Sequence, residues 1–361
     1  MKLRKRLRRI PEAGLVVFAK HAIPLLSRRG VMSLSRFFGL CAYLFSPKLR
    51  NIAAANIDIA FGSDLSESEK KSINRESFNN FSLVLLDLFW FNKHTSERLD
   101  KYVKYDKSFE VVFDIPSAII LTAHIGNWEL IAAGCGSRGY PLTSIAMPIK
   151  NRFVNRELKI LRTKTGSAVA GREGAVREVL KALKEGRGTE LALDQNTLPA
   201  DGGVFVPFFG VPVPVSNILG VLLAKAKSKI VVSWCVPDER GCYVVYAHEP
   251  YPVSDAAEMS GDEITVEMTR EVEAVIRDNP KFWVWSYKRW RFYRETDDIR
   301  RFPFYAESYE GYVRYLALVK KYETAKTKAA ADEALQAVRD EEAATEKRGR
   351  TLGERAERGK G

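Results

Sequence analysis

Cysteine is scarce in this 361-residue chain: Cys41, Cys135, Cys235 and Cys242 stand apart, with none of the CxxC spacing that zinc sites and dithiol redox centres use. With only four histidines besides, no metal site is expected. Cys235 and Cys242 flank a predicted hairpin, but unpaired thiols in a reducing compartment are the better reading. The GxSxG nucleophile elbow is absent, and no serine, cysteine or lysine sits in a nucleophile motif. Long uncharged runs are missing as well. A bilayer-crossing helix needs about 20 nearly uncharged residues, whereas Lys20, His21 and Pro24 break the apolar stretch from Ala13 to Leu26, and Arg36 breaks the one from Val31 to Ser46. No aromatic residue follows Tyr322, so the Ala-, Glu-, Lys- and Arg-rich tail cannot bury a core of its own.

What the chain does have is basic charge. A formal net charge of +12 suits an anionic partner, whether nucleic acid, an acidic protein or a phospholipid surface. Lys2, Arg4, Lys5, Arg6, Arg8 and Arg9 precede the two broken apolar stretches, and no small-residue site marks a cleavable signal peptide. Helices lying in a membrane interface, basic residues against anionic headgroups, are the expected form, with a short single span or a soluble helical subdomain as alternatives.

The expected organisation is a membrane-associated segment over 1–47, a helical subdomain over 48–110, an α/β core over 111–310 and a charged helical or disordered tail over 311–361. In the second segment Leu49, Ile52, Ala53 and Asn56 recur at helical spacing, and Ser66-Glu-Ser-Glu69 has the form of a capped helix start. After Val111 the rhythm changes. Short apolar runs at Ala118–Ala123, Thr143–Met147, Ala168–Ala170, Thr189–Leu193, Lys229–Val236 and Tyr243–Ala247 read as strands. Helical patterns separate them at Trp128–Cys135, Val154–Lys164, Gly174–Lys184 and Ile218–Ala226. The fold class is therefore α/β: a mixed, largely parallel sheet flanked by helices, with functional groups at the strand ends.

His124 follows directly on a predicted buried strand, and Ile125-Gly-Asn127 can turn the chain into a helix near Trp128. On one continuous helix, residues five apart diverge by about 140°. A strand–turn–helix junction instead lets His124 meet Glu129, which would hold the imidazole tautomer while the other ring nitrogen takes a proton from a hydroxyl. The helix start also offers N–H groups to a developing anion. Alone, such a pair is a weak signal.

Four blocks in order make it specific. Leu121-Thr-Ala-His-Ile-Gly-Asn-Trp-Glu129, Arg162-Thr-Lys-Thr-Gly166, Leu193-Asp-Gln195 and Gly203-Val-Phe-Val-Pro-Phe-Phe-Gly210 resemble the bacterial lipid A biosynthesis acyltransferases, within the lysophospholipid acyltransferase superfamily, over roughly Asn51 to Arg291. The resemblance implies a glycerolipid-acyltransferase-like fold. It implies transfer of a fatty acyl group from acyl carrier protein, or a coenzyme A thioester, to a hydroxyl of an anionic glycolipid, a lipid A precursor, at the cytoplasmic face of the inner membrane. No cofactor beyond the thioester co-substrate is expected, and direct attack by the acceptor hydroxyl is favoured over a covalent acyl-enzyme. His124 would be the general base and Glu129 its partner; Arg162, Asp194, Gln195, Asn127, Phe208, Phe209 and Gly210 would bind substrate or shape the site.

Departures from the pattern, Pro212-Val-Pro-Val-Ser216 and the long charged tail, bear on acceptor and chain-length choice. A phosphatidylinositol mannoside or other glycolipid acyltransferase would carry the same blocks. From a different class, the aromatics of Trp283 to Tyr293 interleave with Lys288, Arg289, Arg291 and Arg294 as in a single-strand nucleic-acid platform. The same cluster serves equally as an interfacial aromatic and basic belt, so no nucleic-acid partner is expected.

Overall fold

The structure, a computed structural model, describes residues 14–146, 151–171, 174–226, 228–251 and 259–324, together with residue 336. The basic cluster from Lys2 to Arg9, Met147 and nearly all of the tail beyond Thr324 lie outside the described residues.

Helices come first: α1 over 14–22, α2 Arg28–Phe45, α3 Pro47–Phe61, α4 Glu67–Trp90 and α5 Thr95–Tyr102. The Ser66–Glu69 start of α4 is a complete capping box, in which each residue's side chain bonds the other's backbone N–H. Helix α2 lays Arg28, Val31, Ser35 and Gly39 against α4. Gly39 is required there, because a Cβ would lie 2.6 Å from the Asn79 backbone.

The α/β part runs β1 Val103–Tyr105, α6 Lys107–Glu110, β2 Ile119–Thr122, α7 Glu129–Ser137, β3 Leu142–Ile145, α8 Arg152–Lys164, β4 Ala168–Ala170, α9 Ala175–Lys184 and β5 Gly188–Ala192. A hairpin of β6 Gly203–Phe208 and β7 Val211–Ser216 follows, then α10 Ile218–Leu223, β8 Ile230–Pro237, β9 Tyr243–Ala247 and α11 Gly261–Asp278. The predicted strands and helices are all present, with ends moved by a few residues. The hairpin and β1 were not foreseen. In the hairpin, Pro207, Pro212 and Pro214 mask strand character, and its turn is made by Phe209 and Gly210, both at positive φ (50° and 72°).

Seven strands form one sheet in the order β1-β9-β8-β2-β5-β3-β4, with every neighbour parallel except β8 and β9. Strand β2 is central and buried on both faces, which is why it reads as an unbroken apolar run. Ile119 and Leu121 face a core built with α3, α9, α11 and the hairpin. Ile120 faces a second core made with α4, α5, α7 and α8.

Contacts divide the chain into two compact units, one of Met1–Trp290 with Arg301–Tyr305 and one of Arg291–Arg300 with Ala306–Gly361. The second contains the short parallel pair β10 Phe292–Tyr293 and β11 Glu307–Ser308, followed by α12 Tyr309–Thr324.

Candidate functional site

Strand register brings the central pair together. Thr122 of β2 lies opposite Ala192 of β5, so two residues further on His124 and Asp194 leave the carboxyl ends of neighbouring parallel strands at one level. His124 Nδ1 is 2.8 Å from Asp194 Oδ1, and the His124 backbone N–H donates to Asp194 Oδ2, also at 2.8 Å. Asp194 is buried while the His124 side chain keeps 25% of its surface exposed. With Nδ1–H committed to a carboxylate, Nε2 carries the lone pair, and the Gln195 amide nitrogen sits 3.1 Å from it.

Glu129 occupies a different place from the one its spacing suggests. It opens α7 and is gripped from the last turn of α8: Arg162 Nε donates to Oε2 and Nη2 to Oε1, each at 2.6 Å. The Trp128 indole adds a third bond to Oε1 at 2.9 Å, while its ring lies 4.7 Å from the imidazole. The imidazole is thus oriented by Asp194, and Glu129 reaches it through charge. Arg162 is bidentate on a carboxylate, the strong form of the pair.

The turn between them has no slack. Gly126 has φ +57°, and a Cβ there would lie 1.9 Å from the Cys235 carbonyl oxygen. Its N–H donates to the Phe282 carbonyl, and those of Asn127, Leu130 and Ile131 go to Cys235, Asn127 and Trp128. Two of the helix-start N–H groups expected to face an anion, those of Leu130 and Ile131, are therefore spent within the protein.

Electrostatics shift each member of the His124–Asp194 pair towards its charged form. Burial opposes the imidazolium, but the Asp194 charge and hydrogen bond, with the Glu129 charge, outweigh it, and His124 titrates above the ordinary imidazole value despite opposition from Arg162. Burial likewise works against the Asp194 carboxylate, yet the His124 charge and the bonds from His124 and the Trp283 indole bring it down to about 2. Beneath the site Glu190 of β5 is buried against Ser144, and burial pushes it up to about 7.

Other residues singled out in the sequence do not join His124. Asn127 is buried and turns its amide towards Asp87 (3.3 Å) and the Tyr243 hydroxyl (3.4 Å). It belongs to a knot in which Arg28 of α2 forms a two-pronged ion pair with Asp87 of α4. Phe208 and Phe209 are buried among Trp283, Trp285 and Trp290, and the Gly210 carbonyl accepts from Arg301. The tryptophans of the cluster from Trp283 to Trp290 face inward too, so their rings are closed to nucleobase stacking. Sequence reasoning missed Trp283, Asp87 and Asn80 as contributors; the dense aromatic run was the one available sign of the first.

The profile of the family described as bacterial lipid A biosynthesis acyltransferase matches residues 1–292. This chain belongs to that family. The matched stretch contains His124, Glu129, Arg162 and Asp194. Among related proteins of the family, a lipid A biosynthesis acyltransferase of Haemophilus influenzae is 25% identical over 212 residues, which is 57% of this chain and 64% of that protein. The alignment thus spans somewhat less than two thirds of the relative's length. Among solved structures, the 1-acyl-sn-glycerophosphate acyltransferase of Thermotoga maritima is similar at 19% identity and a TM-score of 0.30, covering 68% of this chain and 93% of that one. That overlap is slight, and the α/β architecture of this family member is read from its own strands.

Proposed function

We propose that this protein transfers a fatty acyl chain from an acyl carrier protein thioester to a hydroxyl of a lipid A precursor, working at the cytoplasmic face of the bacterial inner membrane. The observation that carries the chemistry is the His124–Asp194 pair, with Nδ1–H held by a buried carboxylate and Nε2 left as the base. The acceptor hydroxyl displaces the Gln195 amide at Nε2 and gives up its proton there as its oxygen attacks the thioester carbonyl carbon. The carbonyl electron pair moves onto oxygen, and on collapse the carbon–sulfur bond breaks. The thiolate then leaves with the proton from the imidazolium. Asp194 and Glu129 stabilise the imidazolium, and Arg162 places positive charge beside the developing oxyanion or an acceptor phosphate.

The membrane reading draws support from the surface of the first helices. Ten of the eighteen exposed large apolar side chains among the described residues fall between Leu15 and Leu49, including Phe37, Phe38 and Phe45 on α2. No helix of the described residues is long and apolar enough to cross a membrane. The attachment proposed on this exposed apolar surface is interfacial.

Membranes containing the protein, given an acyl carrier protein thioester and a tetra-acylated lipid A precursor, are expected to yield a product heavier by one acyl chain in mass spectrometry. His124→Ala is expected to lose about 10²–10⁴-fold in turnover. A well-folded His124→Ala protein with wild-type turnover would sink the mechanism. A product formed only from coenzyme A thioesters, or only on another glycolipid, would replace the proposed donor or acceptor.

A further inference from the structure

Beyond His124, Asp194 and Glu129, we infer that Trp283 is a positioning residue for acyl transfer, holding the Asp194 carboxylate in line with the imidazole. The inference rests on the proposed acyl transfer reading. The Trp283 indole donates Nε1–H to Asp194 Oδ2 at 2.8 Å, on the oxygen that also accepts the His124 backbone N–H. The other oxygen faces the imidazole. One carboxylate therefore has three donors around it, and only one of them takes part in proton transfer.

The segment bearing Trp283 grips the histidine as well. Ile125 and Trp283 form an antiparallel bridge, Val284 N–H donates to the His124 carbonyl at 3.2 Å, and Gly126 N–H donates to the Phe282 carbonyl at 3.0 Å. From α4, Asn80 clamps both sides of the junction, donating to the carbonyls of Gly126 (3.1 Å) and Phe282 (3.0 Å). The indole itself is 1% exposed and wedged edge-on against Trp285, with ring centres 4.6 Å apart, and against Phe208. It has no room to turn away from Asp194.

Trp283→Phe keeps an aromatic side chain, though a smaller one, and removes the donor. Loss of the N–H leaves the carboxylate charge less dispersed, so Asp194 favours the imidazolium more strongly. The charged groups facing the pair are Glu129 from α7, Arg162 from α8, Glu190 from β5 and Arg289 from the segment after Trp285, and the variant leaves all of them unchanged. In the full-length membrane-bound protein kcat is expected to fall roughly tenfold with KM unaltered. The acidic limb of kcat/KM should move up by a few tenths of a pH unit to about one. A fall in kcat with the limb unmoved assigns Trp283 to packing alone and overturns the proposal.

A second measurement needs no variant at this position. With ¹⁵N-labelled tryptophan in a Trp128→Phe background, which removes the other indole beside the imidazole, one of the remaining indole N–H signals is expected to follow His124 ionisation and to lose its downfield shift in Asp194→Asn. If none does, the proposal fails even where Trp283→Phe does not fold. An inactive His124→Ala protein beside an unaffected Trp283→Phe protein sinks this inference only; an active His124→Ala protein sinks the acyl transfer reading beneath it.

Discussion

Asp194 and Glu129 are both buried carboxylates whose charges act on one imidazole, yet their partners separate their effects. Asp194 bonds the ring directly, whereas Glu129 has both oxygens on Arg162. Asp194→Asn removes the charge that raises His124 and lets the ring reverse its tautomer. Turnover should drop about 10²–10³-fold, and the acidic limb of kcat/KM should move to lower pH. The sign follows from the raised His124 pKa: base is available only above it, and without the carboxylate that value falls. Glu129→Gln should move the limb the same way but less, and should raise KM for an anionic acceptor because Arg162 loses its bidentate anchor. A larger limb shift in Glu129→Gln than in Asp194→Asn would return the orienting role to Glu129.

Between strand β2 and helix α7, the junction depends on one residue having no side chain. Gly126 combines a left-handed φ with an approach to Cys235 that no Cβ can share. Gly126→Ala must push β8 away from β2 or break the bonds that Asn80 and Phe282 make to the turn. The expected outcome is a destabilisation of about 2–4 kcal/mol, seen as a lower unfolding midpoint, with activity lost beyond detection in membranes. An active Gly126→Ala protein would mean that the junction adopts another path. The elements themselves were legible, since each predicted strand and helix of the α/β part appears within a few residues of its expected span. The hairpin was not, because proline in three of its twelve strand positions hides the β pattern. Its two strands pair with each other, apart from the seven-stranded sheet.

Over the whole molecule, apolar side chains are distributed in two ways. The α/β part buries its own in two layers, one on each face of the sheet. Helix α2 buries one face against α4 and leaves Phe37, Phe38, Leu44 and Phe45 outward. Changing Phe37, Phe38 and Phe45 to serine removes exposed apolar surface without touching Arg28, Val31, Ser35 or Gly39. Binding to anionic phospholipid vesicles in a flotation assay is expected to weaken at least tenfold while the unfolding midpoint stays put. Undiminished binding would remove this face from the proposed attachment.

The sequence by itself determined the fold class, the strand–turn–helix placement of His124 and the family, because these depend on local periodicity and on short ordered blocks. It also singled out Asp194, without its task. Only the tertiary structure decided which acid meets the imidazole. Spacing of five along the chain nominated Glu129, but the adjacency of β5 to β2, a matter of strand order and register, delivered Asp194 from seventy residues away. The same long-range packing gave Glu129 to Arg162, Asn127 to Asp87 and the Trp283 indole to Asp194. Pairings of that kind are fixed by how strands are ordered in the sheet, which a local pattern does not encode.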